Sequence, residues 1–118
     1  MKIKTIVELR EAKVLCGEAK LDGAVNSACG CDMMSDVLAF VKEQAVLITG
    51  LCNPQVVRTA VMMDMRCIVF VRGKMPTADI IALADDAGIV VLASNERMYT
   101  ACGKLYANGL AGGEIIDA

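Results

Sequence analysis

Three short apolar runs recur at a fixed interval, and that interval narrows the possible folds more than any other feature of the chain. "AVLITG" (45–50), "CIVFVRG" (67–73) and "IVVLAS" (89–94) begin at Ala45, Cys67 and Ile89, a step of 22 residues each time. One strand plus one crossover helix has about this length. The runs are continuously hydrophobic rather than alternating, as strands of a parallel sheet covered on both faces are. Each is followed by apolar residues at helical spacing. Val56, Val57, Ala60 and Val61 mark the inward face of the first segment. Ile80, Ile81, Leu83, Ala84 and Ala87 mark the second, and Met98, Tyr99, Cys102, Leu105 and Tyr106 the third. Asn53-Pro54, Pro76-Thr77 and Ser94-Asn95 offer N-cap oxygens or a first-turn proline, while Gly88 and Gly109 stand where left-handed C-caps belong. Right-handed crossovers then bring the three helix N-termini to the carboxyl edge of the sheet.

The first 44 residues leave the strand order open. Ile3, Ile6, Val7 and Leu9 indicate a short opening helix, "KVLCG" a short strand, and residues 25–31 a second extended piece. "DMMSDVLAFVKEQ" reads as a helix capped by Asp32 or Ser35, with Val37, Leu38, Phe40 and Val41 facing inward. The expected architecture is an α/β three-layer sandwich, a mainly parallel sheet of about four to five strands with helices on both faces. Residues 1–110 form a single domain, and 111–118 a C-terminal tail that is frayed or docked on a partner.

Hydrophobic residues make up 56% of the 118, yet no apolar run approaches the length of a membrane helix, so the excess is assigned to a doubly covered sheet and a homo-oligomeric contact. The net charge of -2, the scattered basic residues and the absence of tryptophan argue against a nucleic-acid partner. "MKIKTIVELREAK" threads charges through its apolar residues, unlike a signal peptide, and the expected location is cytoplasmic. In that reducing setting the six cysteines read as thiols or metal ligands.

Two constellations carry candidate chemistry. In an open parallel sheet, ligands settle beyond the carboxyl ends of the strands, where unpaired amides and helix N-termini attract anions. Thr49, Gly50, Asn53, Arg72, Lys74, Ser94 and Asn95 gather there, with Asp32 the one acid to test beside them. Glycine as a corner, Asn53 and Ser94 as caps, and Arg72 and Lys74 as solvated cations make the plainer reading of the same residues. The second constellation is Cys29, Cys31 and Cys52. The first two are two apart on an extended chain, Cys31 lies at the mouth of a helix, and Cys102 or a second subunit completes a shell for zinc or an iron-sulfur cluster. A catalytic centre is harder to find: there is no histidine, Asp85 and Asp86 point apart on a helix, and no serine sits in a nucleophile elbow.

Residues 1–110, and within them the acidic-capped helix from Asp32 to Val41, "LITG" followed by "NPQVVRTA", and "VFVRGKMPT", resemble the DRTGG domain family, in particular its short free-standing members. The resemblance implies an α/β sandwich similar to the N-terminal domain of HPr kinase/phosphorylase. It also implies a regulatory, small-molecule-sensing role, and for free-standing members an accessory role beside enzymes such as hydrogenase subunits. The serine-kinase label attached to some relatives fails here. A P-loop needs G-x-x-x-x-G-K-[ST] so that amides wrap the phosphates, lysine reaches them and a hydroxyl holds magnesium. Gly73-Lys74 and Gly103-Lys104 are followed by Met75 and Leu105 instead. The expected function is a non-catalytic regulatory or accessory domain that binds a small anionic ligand, a nucleotide among the candidates, and acts on a partner protein. A metal or iron-sulfur redox protein and a structural oligomeric adaptor are the alternatives.

Overall fold

The repeating strand–helix units lie side by side in a computed structural model that describes residues 1–40 and 45–110. In chain order the elements are α1 (Ile3–Arg10), β1 (Lys13–Cys16), a 3-10 turn (Glu18–Lys20), β2 (Ser27–Gly30), α2 (Met34–Phe40), β3 (Ala45–Thr49), α3 (Pro54–Met62), β4 (Cys67–Phe70), α4 (Ala78–Asp86), β5 (Val90–Ala93) and α5 (Met98–Ala107). Val41 and the 111–118 tail lie outside the described residues, as does the side chain of Phe40.

The sheet order is β1-β5-β4-β3-β2. β2, β3, β4 and β5 pair in parallel, whereas β1 runs antiparallel to β5 with an irregularity between Val14 and Cys16. The expected α/β sandwich with a mainly parallel sheet is therefore the fold. Each crossover from β2 to β5 steps one strand in the same direction, so right-handedness places α2, α3 and α4 on one face. Met34, Val37, Val56, Val57, Ala60, Ile80 and Ala84 pack there against Ala45, Leu47, Ile68, Phe70 and Val91. The other face would be bare without α1 and α5, whose Ile3, Ile6, Ala101 and Leu105 cover Val46, Ile48, Cys67, Val69, Val90 and Leu92. Burial on both faces is why β4 and β5 are apolar at every position.

The inward helical faces are narrower than the sequence suggests. Val61, Leu83, Leu38, Tyr99 and Tyr106 are all exposed, as is Ala87. A helix lying on a sheet buries only one stripe. In α5 that stripe is Met98, Ala101, Cys102 and Leu105, and the tyrosines lie about 100° away around the axis. Among the described residues no helix is long and apolar enough to cross a membrane.

Candidate functional site

Parallel pairing brings the ends of β2, β3 and β4 to one rim, where Asp32, Thr49, Gly50 and Arg72 meet. The ladder runs slightly past the strands, with Cys31 N donating to Ile48 O at 3.0 Å and Val71 N to Thr49 O at 3.0 Å. Asp32 is thereby held beside the end of β3. Its Oδ1 accepts from Thr49 Oγ1 at 2.9 Å and from Gly50 N at 2.8 Å, and its Oδ2 lies 3.3 Å from Arg72 Nη2. Thr49 Oγ1 also accepts from Leu51 N at 3.1 Å, which fixes the corner.

Arg72 adopts a left-handed φ of 62° and swings its guanidinium over Gly50. A Cβ at position 50 would stand 1.9 Å from Arg72 Nη2, so glycine is there to let the guanidinium approach.

Burial opposes ionisation of Asp32, but the Gly50 amide, the Thr49 hydroxyl and Arg72 outweigh it and hold the carboxyl below its ordinary 3.8. A depressed native pKa stabilises the fold above the unfolded value and loses that contribution as pH falls through the native one. Urea midpoints measured from about pH 6 down to about pH 3 are therefore expected to fall more steeply for the wild type than for Asp32→Asn. Parallel curves would show that the rim carboxylate is not linked to folding.

The remaining expected rim residues divide. Asn53 caps α3, its Oδ1 accepting from Val56 N at 3.2 Å. Lys74 is exposed, near enough to influence the Cys52 thiol together with Arg72. Ser94 and Asn95 do not cap α5, which begins at Met98 after Arg97. The Ser94 hydroxyl instead accepts from Glu96 N at 3.1 Å within a tight turn. Ser94 O accepts from Gly73 N at 3.0 Å, and Glu96 O from Arg72 N at 2.7 Å, so these loops are stitched together by backbone. Asp32 stands two residues ahead of α2, which begins at Met34, and its carboxylate is engaged across the rim. Cys31 Sγ accepts from Met33 N at 3.3 Å in that region.

The cysteines do not assemble as their spacing suggests. Cys29, Cys31 and Cys52 pack against the core on the α2–α4 face, and Cys102 lies on the opposite face beside α1 and β2. Among the described residues no group of three or more cysteine or carboxylate side chains is placed to hold a metal ion. Burial, reinforced by Cys31, Cys102 and Asp36, pushes the Cys29 thiol up to about 11. Burial also raises Cys52 against the pull of Lys74 and Arg72. Burial thus favours the neutral thiol at both Cys29 and Cys52.

Sequence reasoning missed Arg10 and Glu96. Arg10 is 1% exposed and donates to Ala101 O at 2.9 Å, Thr100 O at 3.3 Å and Leu9 O at 2.7 Å. Glu96 pairs with both Arg10 and Lys104. The available signal was an arginine in phase with Ile3 and Ile6 on the buried stripe of α1.

The family model for the DRTGG domain matches residues 5–107. Among curated proteins none matches the chain. Among solved structures, the CBS and DRTGG domains of the regulatory region of Clostridium perfringens pyrophosphatase, crystallised with the activator diadenosine tetraphosphate, are similar in fold. The TM-score is 0.71 at 18% identity, over 88% of this chain and 45% of that one. The chain thus spans less than half the length of that structure.

Proposed function

The chain belongs to the DRTGG domain family, and on that premise we propose that it is a non-catalytic regulatory or accessory domain that binds a small anionic ligand at the carboxyl rim and acts on a partner protein. One observation carries the reading. An amide, a hydroxyl and a guanidinium converge on the Asp32 carboxylate, which is the donor set an external anion needs. Asp32 acts as the resident anion, and a ligand phosphate or carboxylate takes its donors by displacing it. Lys74, exposed beside Arg72, adds charge, and Asn53, Ser94 and Asn95 shape the loops around it. The regulatory region of the pyrophosphatase carries its activator in a structure that includes this type of domain, which supports a nucleotide as the ligand.

Action on a partner is supported by an exposed apolar patch on α3 and α4, formed by Val61, Met62 and Leu83 beside Val57. A second copy of the chain, or an enzyme such as the hydrogenase subunit suggested by the family resemblance, is the proposed occupant.

Calorimetry and melting temperature with inorganic phosphate and a panel of nucleotides test the rim. Asp32→Asn is expected to tighten phosphate binding by about tenfold, because a neutral amide competes less for the same donors. Arg72→Gln is expected to weaken it by about tenfold. A ligand that binds only the native state also raises the melting temperature by mass action. If no anion produces heat or a melting shift even in Asp32→Asn, the reading fails.

A further inference from the structure

A second hollow adjoins the rim on the opposite face of the sheet from α3. It is a cleft of about 630 Å³ between α5, the edge strand β2 and its neighbour β3, with Gly30, Ile48, Cys102, Tyr99 and Tyr106 among its walls. That volume lies in the range of small-molecule sites, and an apolar lining with a few polar groups, here Thr100 and Lys104, is their usual character.

The chain has two tyrosines and no tryptophan, and both tyrosines stand at this cleft, 90% and 73% exposed. Tyr99 and Tyr106 are two turns apart on one side of α5, about 10 Å along the axis. Gly103 lies between them, where an added Cβ would meet nothing within 4 Å. Two unburied rings thus flank an open notch wide enough to admit a planar ring, which each can meet by stacking.

The cleft and the rim are neighbours along two strands. Gly30 in its wall precedes Asp32 by two residues, and Ile48 precedes Gly50 by two. Two residues of extended chain span about 7 Å. A ligand with a ring in the cleft can therefore set its anion at the rim with a short connection.

Resting on the rim reading above, we infer that this cleft receives the ring-bearing half of the same ligand, whose class is then a nucleoside monophosphate or a molecule of like build, with its base against Tyr99 and Tyr106.

Calorimetry on the full chain with inorganic phosphate and with adenosine 5′-monophosphate tests this, using the wild type and the Tyr99→Ala/Tyr106→Ala double variant. The nucleotide is expected to bind at least about tenfold more tightly than phosphate. The double variant is expected to lose that preference while keeping its phosphate affinity and its melting temperature, since both rings are exposed. Equal affinities for nucleotide and phosphate in the wild type would overturn the cleft assignment and leave the rim reading standing. Absence of binding by both probes, in Asp32→Asn as well as in the wild type, would remove the rim reading and the cleft assignment with it. A double variant that keeps the nucleotide preference but turns a dimer into a monomer on sedimentation would overturn the assignment too, making the cleft a contact between copies.

Discussion

Glu96→Ala is expected to cost the fold about 3–5 kcal/mol, because it removes the counter-charge of a guanidinium that has no access to water. The Arg10 side chain is 0% exposed and that of Glu96 only 18%, with 3.3 Å between Nη1 and Oε1. Burial pulls the Arg10 pKa down, and Glu96 opposes that pull. The other groups Arg10 reaches are neutral carbonyls of Leu9, Thr100 and Ala101, which orient the guanidinium without neutralising it. Glu96 also anchors the rim, since its carbonyl accepts from Arg72 N.

Urea denaturation measures the effect. The loss is expected to persist in about 0.5 M salt, because buried charges are poorly screened. Lys104→Ala, which removes the half-exposed partner of Glu96, is expected to cost less than about 1 kcal/mol. Adding Arg10→Met to Glu96→Ala is expected to restore part of the loss, since the double variant buries no orphaned charge. A Glu96→Ala midpoint equal to that of the wild type would show that the pair does not hold α1 to α5.

Gly17→Ala is the second large effect, about 2–4 kcal/mol, and it has two separable sources. Gly17 adopts a φ of 84° directly after β1, a left-handed conformation costing any other residue about 1 kcal/mol. A Cβ there would also stand 2.8 Å from Val90 Cα and 2.9 Å from Val90 Cγ2. Val90 lies in β5, held between β1 and β4, so its backbone has little freedom to retreat. Overpacking of this kind adds about 1–3 kcal/mol. Gly109→Ala isolates the first source, because φ there is 99° but a Cβ meets nothing within 4 Å among the described residues. Its expected cost is about 1 kcal/mol. Equal urea midpoints for the two variants would show that the contact with Val90 relaxes freely.

The legible parts of the fold were those whose signal is local. The start of β3 and β4 at Ala45 and Cys67, the Asn53 cap, and the left-handed Gly88 and Gly109 all follow from residues within one turn of the feature. The third helix shows where local reading ends. Ser94 looks like its cap, but the hydroxyl closes a turn onto Glu96 N and α5 starts at Met98. Of the candidate site, Thr49 and Gly50 could be placed at a strand end from the sequence. The contact of Asp32 with Arg72, separated by 40 residues, depends on β2 and β4 flanking β3. Spacing along the chain says less about the cysteines: Cys29, Cys31 and Cys52 share one face of the sheet and Cys102 lies on the other, and among the described residues no three cysteine or carboxylate side chains are grouped to hold a metal ion.

The sequence by itself determined the succession of strand–helix units, their parallel sense and the rim on which their loops fall. Hydrophobic period, caps and crossover handedness are properties of neighbouring residues. Only the tertiary structure decided that β1 returns antiparallel to β5, that α1 and α5 close the second face, and that β2 forms the far edge beside the tyrosine cleft. Those choices pair residues such as Lys13 with Ala93 and Arg10 with Glu96. They rest on which apolar surface remains uncovered once the parallel strands have assembled, and no local pattern in the chain encodes that.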